Sequence, residues 1–438
     1  LTDPTTDTIV ALASGALPAG VAVLRVSGPH VRFVLETMCG GVPEPRIAHL
    51  RSIRNRNGEL LDKGIVLHFQ GPKSFTGEDC AEFQVHGGRA IVSAILAELA
   101  SLPRVRLAEP GEFTRRAFEN GRMDLTEAEG LADLIAAQTE MQRRLAVTQS
   151  EGGLTRLYAG WARRLLHARA LVEADLDFAD EDDVPGSVAD RVWSDMAELR
   201  VEMERHLAEA SIGERIRDGF KVVIVGPPNV GKSSLLNALA ARDVAIVSSE
   251  AGTTRDLISV DVDLGGYAAT ITDTAGIRET DHGVEQEGIA RARRALATAD
   301  LVLNLSDCGV YVTDAPAAVP EIRVRTKSDL NTGVPFLSDV AISVATGDGV
   351  DALIELCRSR LSSLANFSSF ALPTRLRHRQ HLRQALECLT FAVSESHMPI
   401  ELRSEELRLA SDALGRITGR VDVEDVLDVI FSSFCIGK

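Results

Sequence analysis

Residues 226–233 read GPPNVGKS, a phosphate-binding loop of the form GxxxxGK[ST], directly after the apolar run Val222-Val223-Ile224-Val225. No other stretch constrains the fold as tightly. The apolar run predicts a buried strand, and Ser233 to Ala240 continues as helix. Backbone N–H groups of such a loop wrap a phosphate at the positive end of the helix. Lys232 is placed to reach β- and γ-phosphate oxygens, and the Ser233 hydroxyl to take a Mg²⁺ position. Asn229, Val230, Gly231, Lys232, Ser233 and Ser234 are therefore candidate nucleotide contacts. The competing reading is a glycine turn that merely joins strand to helix, and the context of strand, loop and helix weighs against it.

Downstream motifs come in the order a GTPase needs. Thr253-Thr254-Arg255-Asp256 offers hydroxyls for a γ-phosphate-dependent Mg²⁺ shell, with Thr254 as the expected ligand. Asp273-Thr274-Ala275-Gly276 ends a strand expected at 268–272, its Asp suited to a Mg²⁺ water and its Gly amide to the γ-phosphate. Thr326-Lys327-Ser328-Asp329 stands where NKxD is usual, so the carboxylate acceptor for guanine is present but Thr replaces Asn. A fifth motif is expected at Ile342-Ser343-Val344-Ala345. Ile277 occupies the place of the water-orienting Gln of small GTPases, so another polar group must orient the water. Arg278 and Glu285 are the candidates, Glu285 the better one; a plain acidic first helical turn is the alternative.

The 438 residues, 45% hydrophobic and 25% charged, suit two or three domains with adequate cores. No apolar run approaches about 18 residues, so no transmembrane helix is expected. The start LTDPTTDTIVALASG lacks a basic region followed by an apolar stretch, which points away from secretion. Six cysteines without a CxxC pair fit a reduced cytoplasm, and the net charge of −16 argues against a broad nucleic-acid footprint.

Short β-rich runs at 21–26, 64–69 and 81–85 and a helix near 90–100 predict a small α/β domain over residues 1–118. Residues 119–213 read as helical. A capping box is expected at Thr126-Glu127-Ala128-Glu129. Val192, Met196, Leu199, Met203 and Leu207 mark one face of a long helix. The acidic stretch 179–183 before Pro185-Gly186 is read as a turn between helices. The GTPase module is assigned to 214–370, as a doubly wound α/β domain. Helical period resumes over 371–438, at Leu382, Leu386, Leu389 and Val393, then Val423, Leu427, Ile430 and Phe434. The fold class is thus multidomain α/β plus α, with the GTPase inserted into a discontinuous helical domain.

The flanks add a resemblance. DTIVALASG and GVAVLRVSG near the start, SFTGEDCAEFQVHGG (74–88), EPGEFTRRAFENGRMDLTEAEGLADLI (109–135) and the closing FCIGK are similar, in order, to blocks of the MnmE (TrmE) family of tRNA-modification GTPases. The resemblance implies a cytoplasmic homodimer. With a flavoprotein of the MnmG or GidA type, in a heterotetramer or larger, it would modify carbon 5 of the wobble uridine of certain tRNAs. It implies an N-terminal domain like folate-binding one-carbon domains, with Arg25, Glu82, Arg122 and Lys438 around a formyl-tetrahydrofolate. Arg122 departs from the commoner Lys, and Arg25 and Glu82 read without the resemblance as ordinary paired charges. The resemblance further implies K⁺ beside the phosphates. Asn229 would bind it under a loop spanning Ser248, Ser249, Glu250, Ala251, Gly252 and Thr253, of which Ser248, Glu250 and Thr253 give oxygens suited to K⁺. Glu285 matches the family's water-orienting Glu.

Cys435 has two readings: a nucleophile with Lys438 nearby, or a small hydrophobe beside Ile430 and Phe434. Arg375-Leu376-Arg377-His378-Arg379 is either an RNA contact or a solvated helix start. A ribosome-assembly GTPase of the Era or Der class is the first alternative function. It predicts a basic RNA-binding module that the acidic helical region does not match. A regulatory switch that needs exchange and activating partners is the second.

Overall fold

Two sheets and a set of amphipathic helices account for the computed structural model. It describes residues 7–177, 187–242, 259–273, 293–312, 316, 319–330, 337–395, 397–421, 424–432, 434 and 437. Residues 1–132 with 415–438 form one compact unit, and residues 133–414 form a second.

In the first unit the chain runs β1 (Thr8–Leu12), β2 (Ala19–Ser27), α1 (Val31–Cys39), β3 (His49–Arg54), β4 (Leu60–Phe69), β5 (Cys80–Gly87), α2 (Arg89–Ala100), β6 (Val105–Leu107) and α3 (Glu112–Glu119). The three strand runs expected from sequence fall inside β2, β4 and β5. The sheet order is β3-β4-β5-β2-β1-β6. Only the β1–β6 pair is parallel; the others are antiparallel. Leu24 and Val26 of β2, Val66 of β4 and Phe83 of β5 alternate onto one face and pack with Val34 and Leu35 of α1 and Ile95 of α2. Burying these branched and aromatic side chains contributes about 1.5–3 kcal/mol each.

α4 (Leu125–Ala136) opens on a reciprocal cap. The Glu127 N–H donates to Asp124 Oδ1 at 2.9 Å, and the Asp124 N–H donates to Glu127 Oε2 at 2.7 Å. The capping box is therefore Asp124–Glu127, not the expected Thr126–Glu129. Thr126 already lies within the helix and donates to Asp124 Oδ1 at 2.8 Å. A carboxylate can cap as a hydroxyl does, which is why the frame can start two residues earlier. Leu125 and Ala128 pack on Leu427, Phe431 and Phe434, from and just after the helix Glu424–Ser432.

The second unit continues with α5 (Glu140–Ser150), α6 (Gly153–Asp177), α7 (Ser187–Ala208) and α8 (Ala210–Asp218). Next come β7 (Phe220–Val225), α9 (Lys232–Ala240), β8 (Ser259–Asp263), β9 (Ala268–Asp273), β10 (Leu301–Ser306), β11 (Glu321–Arg325) and β12 (Val340–Ala341). It ends with α10 (Val350–Leu364), α11 (Leu376–Ser394) and α12 (Ile400–Thr418), the last crossing into residues of the first unit. α7 packs against both α6 and α11. Val192, Met196, Leu199 and Met203 are buried and Leu207 is half-buried, as the three- and four-residue steps require. Beside them His206 meets both Tyr158 and Trp161 edge to face, with the Tyr158 hydroxyl 3.0 Å from His206 Nε2.

The second sheet has the order β12-β11-β10-β7-β9-β8, all parallel except β8. β7 is central. The chain leaves it for β8 and β9 on one side and for β10 to β12 on the other, so a topological switch point lies at its carboxyl end.

Candidate functional site

That switch point holds the phosphate loop. Val222, Val223, Ile224 and Val225 are buried on both sheet faces, as a central parallel strand demands. At Gly226 the chain turns with φ of 150°, and a Cβ there would overlap the Leu305 carbonyl oxygen of β10. Asn229 is left-handed at φ 59° and exposed, and Gly231 (φ 100°) caps α9. The first intrahelical bond is Leu235 N–H to the Gly231 carbonyl, 2.9 Å, so the N–H groups ahead of it belong to the open end of the helix. That end is a ready anion site.

Lys232 is only 6% exposed; its ammonium donates to the carbonyls of Gly226 (2.9 Å) and Pro227 (2.8 Å), folded back along the loop. The Ser233 hydroxyl donates to Asp273 Oδ2 at 2.5 Å, and Asp273 is fully buried at the carboxyl end of β9. Two hard oxygen groups thus meet beside the phosphate loop, which fits Mg²⁺ chemistry. Ser234 is exposed on the first turn, and Val230 is buried beneath the loop.

The base-motif segment comes after β11. The Thr326 hydroxyl donates to the Val230 carbonyl at 2.8 Å, and its N–H to the Ser306 carbonyl at 2.9 Å. Lys327, left-handed at φ 55°, pairs with Asp307 at 2.7 Å. This hydrogen-bonded ammonium holds the Asp307 carboxyl below the usual carboxylate range. The Ser328 N–H donates to the Ile342 carbonyl (3.0 Å), and Asp329 is exposed, its carboxylate making no ion pair among the described residues. Ser343 is buried and caps the turn before α10, while Ala345 is exposed. Ser306 and Asp307 are not among the residues expected at the site. Their signal was present: two polar residues directly at the carboxyl end of the apolar run LVLNL, where the ligands of such sheets bind.

Ser248, Ser249, Glu250, Ala251, Gly252, Thr253, Thr254, Thr274, Ala275, Gly276, Ile277, Arg278 and Glu285 lie outside the described residues, as do the acidic turn 179–183, Val423, Cys435 and Lys438. Of the expected K⁺ ligands the structure therefore describes Asn229 alone.

In the first unit, Arg25 and Glu82 are direct cross-strand partners on β2 and β5. Arg25 Nε and Nη2 donate to Glu82 Oε1 at 3.1 and 3.0 Å, with the two side chains 22% and 19% exposed. The Arg25 guanidinium lies 5.2 Å from the Phe75 ring centre and 5.8 Å from that of Phe113, two cation–π contacts. The exposed Arg122 borders the same 74–79 loop, its stem beside Gly77. Thr76 and Glu78 of this loop join Ser27 and Arg116 in a largely buried hydrogen-bonded network. Gly437 (φ 98°) packs so closely on the Leu12 carbonyl of β1 that a Cβ would overlap it. The segment ending in Gly437 therefore reaches the strand next to Arg25. A partly exposed charge pair walled by aromatics suits a flat, polar-rimmed ligand, and it fits a pterin-like group better than an isolated surface salt bridge would.

Comparison with known proteins bears on the whole chain. Residues 8–122 match a family model described as GTP-binding protein TrmE N-terminus, and residues 125–435 match the MnmE helical domain. A protein named tRNA modification GTPase MnmE from Rhizobium meliloti (strain 1021) is 60% identical over 438 residues, covering 99% of each chain. Its namesake from Sinorhizobium medicae (strain WSM419) is 58% identical over 439 residues, again 99% of each. One from Brucella anthropi is 55% identical over 434 residues, 99% of this chain and 98% of its own. With both flanks, the phosphate loop and the full length accounted for, the chain belongs to the MnmE (TrmE) family of tRNA-modification GTPases.

Proposed function

We propose that this protein hydrolyses GTP and couples the hydrolysis to modification of carbon 5 of the wobble uridine of certain tRNAs. The observation that carries the GTPase half is the Ser233–Asp273 contact beside an open helix end at the switch point of the parallel sheet. Lys232 would turn from the loop carbonyls to the β- and γ-phosphate oxygens. The N–H groups around Gly231 and Lys232 would hold the β-phosphate. Asp329 would accept from the guanine N1–H and 2-amino groups. Mg²⁺ held through Ser233, Asp273 and Thr254 would supply charge neutralisation at the phosphates. Asn229, with Ser248, Glu250 and Thr253, would hold K⁺ for the same purpose, in place of an arginine finger. Glu285 would orient the attacking water.

The tRNA half rests on family membership and on the Arg25–Glu82 site. Those two residues, with Arg122 and Lys438, would bind a formyl-tetrahydrofolate that supplies the one-carbon unit. In this reading the protein works in the cytoplasm as a homodimer with a flavoprotein partner of the MnmG or GidA type. Among the described residues no helix is long and apolar enough to cross a membrane.

The test is steady-state hydrolysis in KCl against NaCl at equal ionic strength, with ATP as control. K⁺-specific stimulation confined to GTP is the expected result. Equal slow rates in both salts would remove the cation-activated mechanism. Formyl-tetrahydrofolate binding by calorimetry separates this reading from a ribosome-assembly GTPase.

A further inference from the structure

Thr326 stands in the base-reading segment, and its role rests on the GTPase reading above. A guanine presents N7 and O6 as acceptors on one edge and N1–H and a 2-amino group as donors on the other. Reading N7 therefore takes a donor, and reading N1–H takes an acceptor. A threonine side chain has one proton to give. In this protein that proton goes to the Val230 carbonyl at 2.8 Å, and the Thr326 N–H goes to the Ser306 carbonyl at 2.9 Å. The residue is 4% exposed, so the hydroxyl is enclosed between the end of β11 and the phosphate loop. Its neighbour Lys327 has its ammonium on Asp307. Asp329, at the exposed end of the segment, is an acceptor only.

We infer that Thr326 is a positioning residue. It clamps the base-reading segment to the phosphate loop and gives no donor to N7, so guanine is selected through its N1–H and 2-amino edge at Asp329. The two ends of the nucleotide site are joined through one hydroxyl. An Asn at this place would carry two donor protons and could serve the loop and N7 together.

The experiment compares GDP, 7-deaza-GDP (carbon in place of N7) and IDP (no 2-amino group) by calorimetry on the full-length wild-type protein. GDP and 7-deaza-GDP are expected to bind within about 3-fold of each other, and IDP ~10-fold or more weakly, since a bond to a charged acceptor is lost. Thr326→Asn is expected to gain a preference of roughly 3- to 10-fold for GDP over 7-deaza-GDP, one neutral hydrogen bond. Thr326→Val should weaken GDP and 7-deaza-GDP in parallel, by about 5-fold, and Thr326→Ser should restore both. A wild-type loss of tenfold or more with 7-deaza-GDP overturns the inference while leaving the GTPase reading intact. Unchanged affinity in a folded Thr326→Val protein overturns the clamp. No GDP binding by the wild type removes the GTPase reading itself, and this inference with it.

Discussion

The Ser233 hydroxyl donates a 2.5 Å hydrogen bond to the Asp273 carboxylate, tying the first turn of α9 to the end of β9. A hydroxyl held this way is already beside the oxygen that a divalent cation would share with it. Ser233→Ala should therefore weaken Mg²⁺-dependent binding of a non-hydrolysable GTP analogue by about 2 kcal/mol, roughly 30-fold. Binding of GDP in EDTA should change much less. Calorimetry with and without Mg²⁺ reads the difference; equal losses in both would assign Ser233 to the fold alone.

Gly226 is the second point of leverage. Its φ of 150° and the Leu305 carbonyl behind it leave no room for a Cβ. Gly226→Ala should cost about 2 kcal/mol or more in the nucleotide-free protein, because the clash adds to the backbone strain. A urea denaturation series checks this. A midpoint within error of wild type would mean that β7 and β10 can part without penalty.

The Arg25–Glu82 pair predicts a separable phenotype. Glu82→Gln keeps the shape but removes the charge that anchors the guanidinium at 3.0 Å. Affinity for 5-formyl-tetrahydrofolate should fall ~10-fold or more, the scale of a charge-assisted hydrogen bond. Affinity for GDP should stay within about 2-fold, since Glu82 lies outside the unit that carries the phosphate loop. Retained folate affinity would reduce the pair to a structural salt bridge.

His206 predicts a pH dependence of stability. Burial pushes its imidazolium down, His378 on α11 adds to the effect, and the result is a folded pKa of about 4. Tyr158, whose own pKa is raised by burial, keeps its hydroxyl 3.0 Å from Nε2. The ordinary histidine value is about 6.5, so between pH 6.5 and 4 the unfolded chain binds the extra proton. This contribution is complete above pH 6.5 and is lost as the pH falls towards 4, by up to about 3 kcal/mol. Urea midpoints at pH 7.5 and 5.0 should diverge in the wild type and converge in His206→Gln. An equal slope in the variant would assign the dependence to other groups.

The parts of the fold legible in sequence were those set by local pattern. GPPNVGKS after four apolar residues marked the loop at the end of a central strand because strand burial and glycine geometry are both local. The long helix 187–208 was legible because its apolar residues recur at three and four. The second helix of that packing is less legible. Leu386 and Val393 are only half-buried, while Ala385 and Ala392, too small to stand out in a hydrophobic count, are fully buried. The Lys327–Asp307 and Thr326–Val230 bonds are not legible in any one segment, for a different reason. They depend on strands β10 and β11 lying beside β7, a register that no single segment specifies. The cap at Asp124 was missed because two overlapping frames each satisfy the capping pattern, and only packing chooses between them.

The partnership of residues 415–438 with residues 1–132 sets the order of events at the ribosome. Gly111 and Gly419 leave just enough room for Phe431 and Phe118, so a side chain at either glycine would break these contacts. While 133–414 are being made, Leu125 and Ala128 lack the phenylalanines that cover them. The core of β1 to β6 with α1 and α2 draws on residues 10–105 alone, whereas the apolar face of α4 stays open to chaperones until nearly the whole chain has emerged. A nascent chain arrested after the GTPase module would thus carry a complete nucleotide site while the apolar face of α4 is still uncovered.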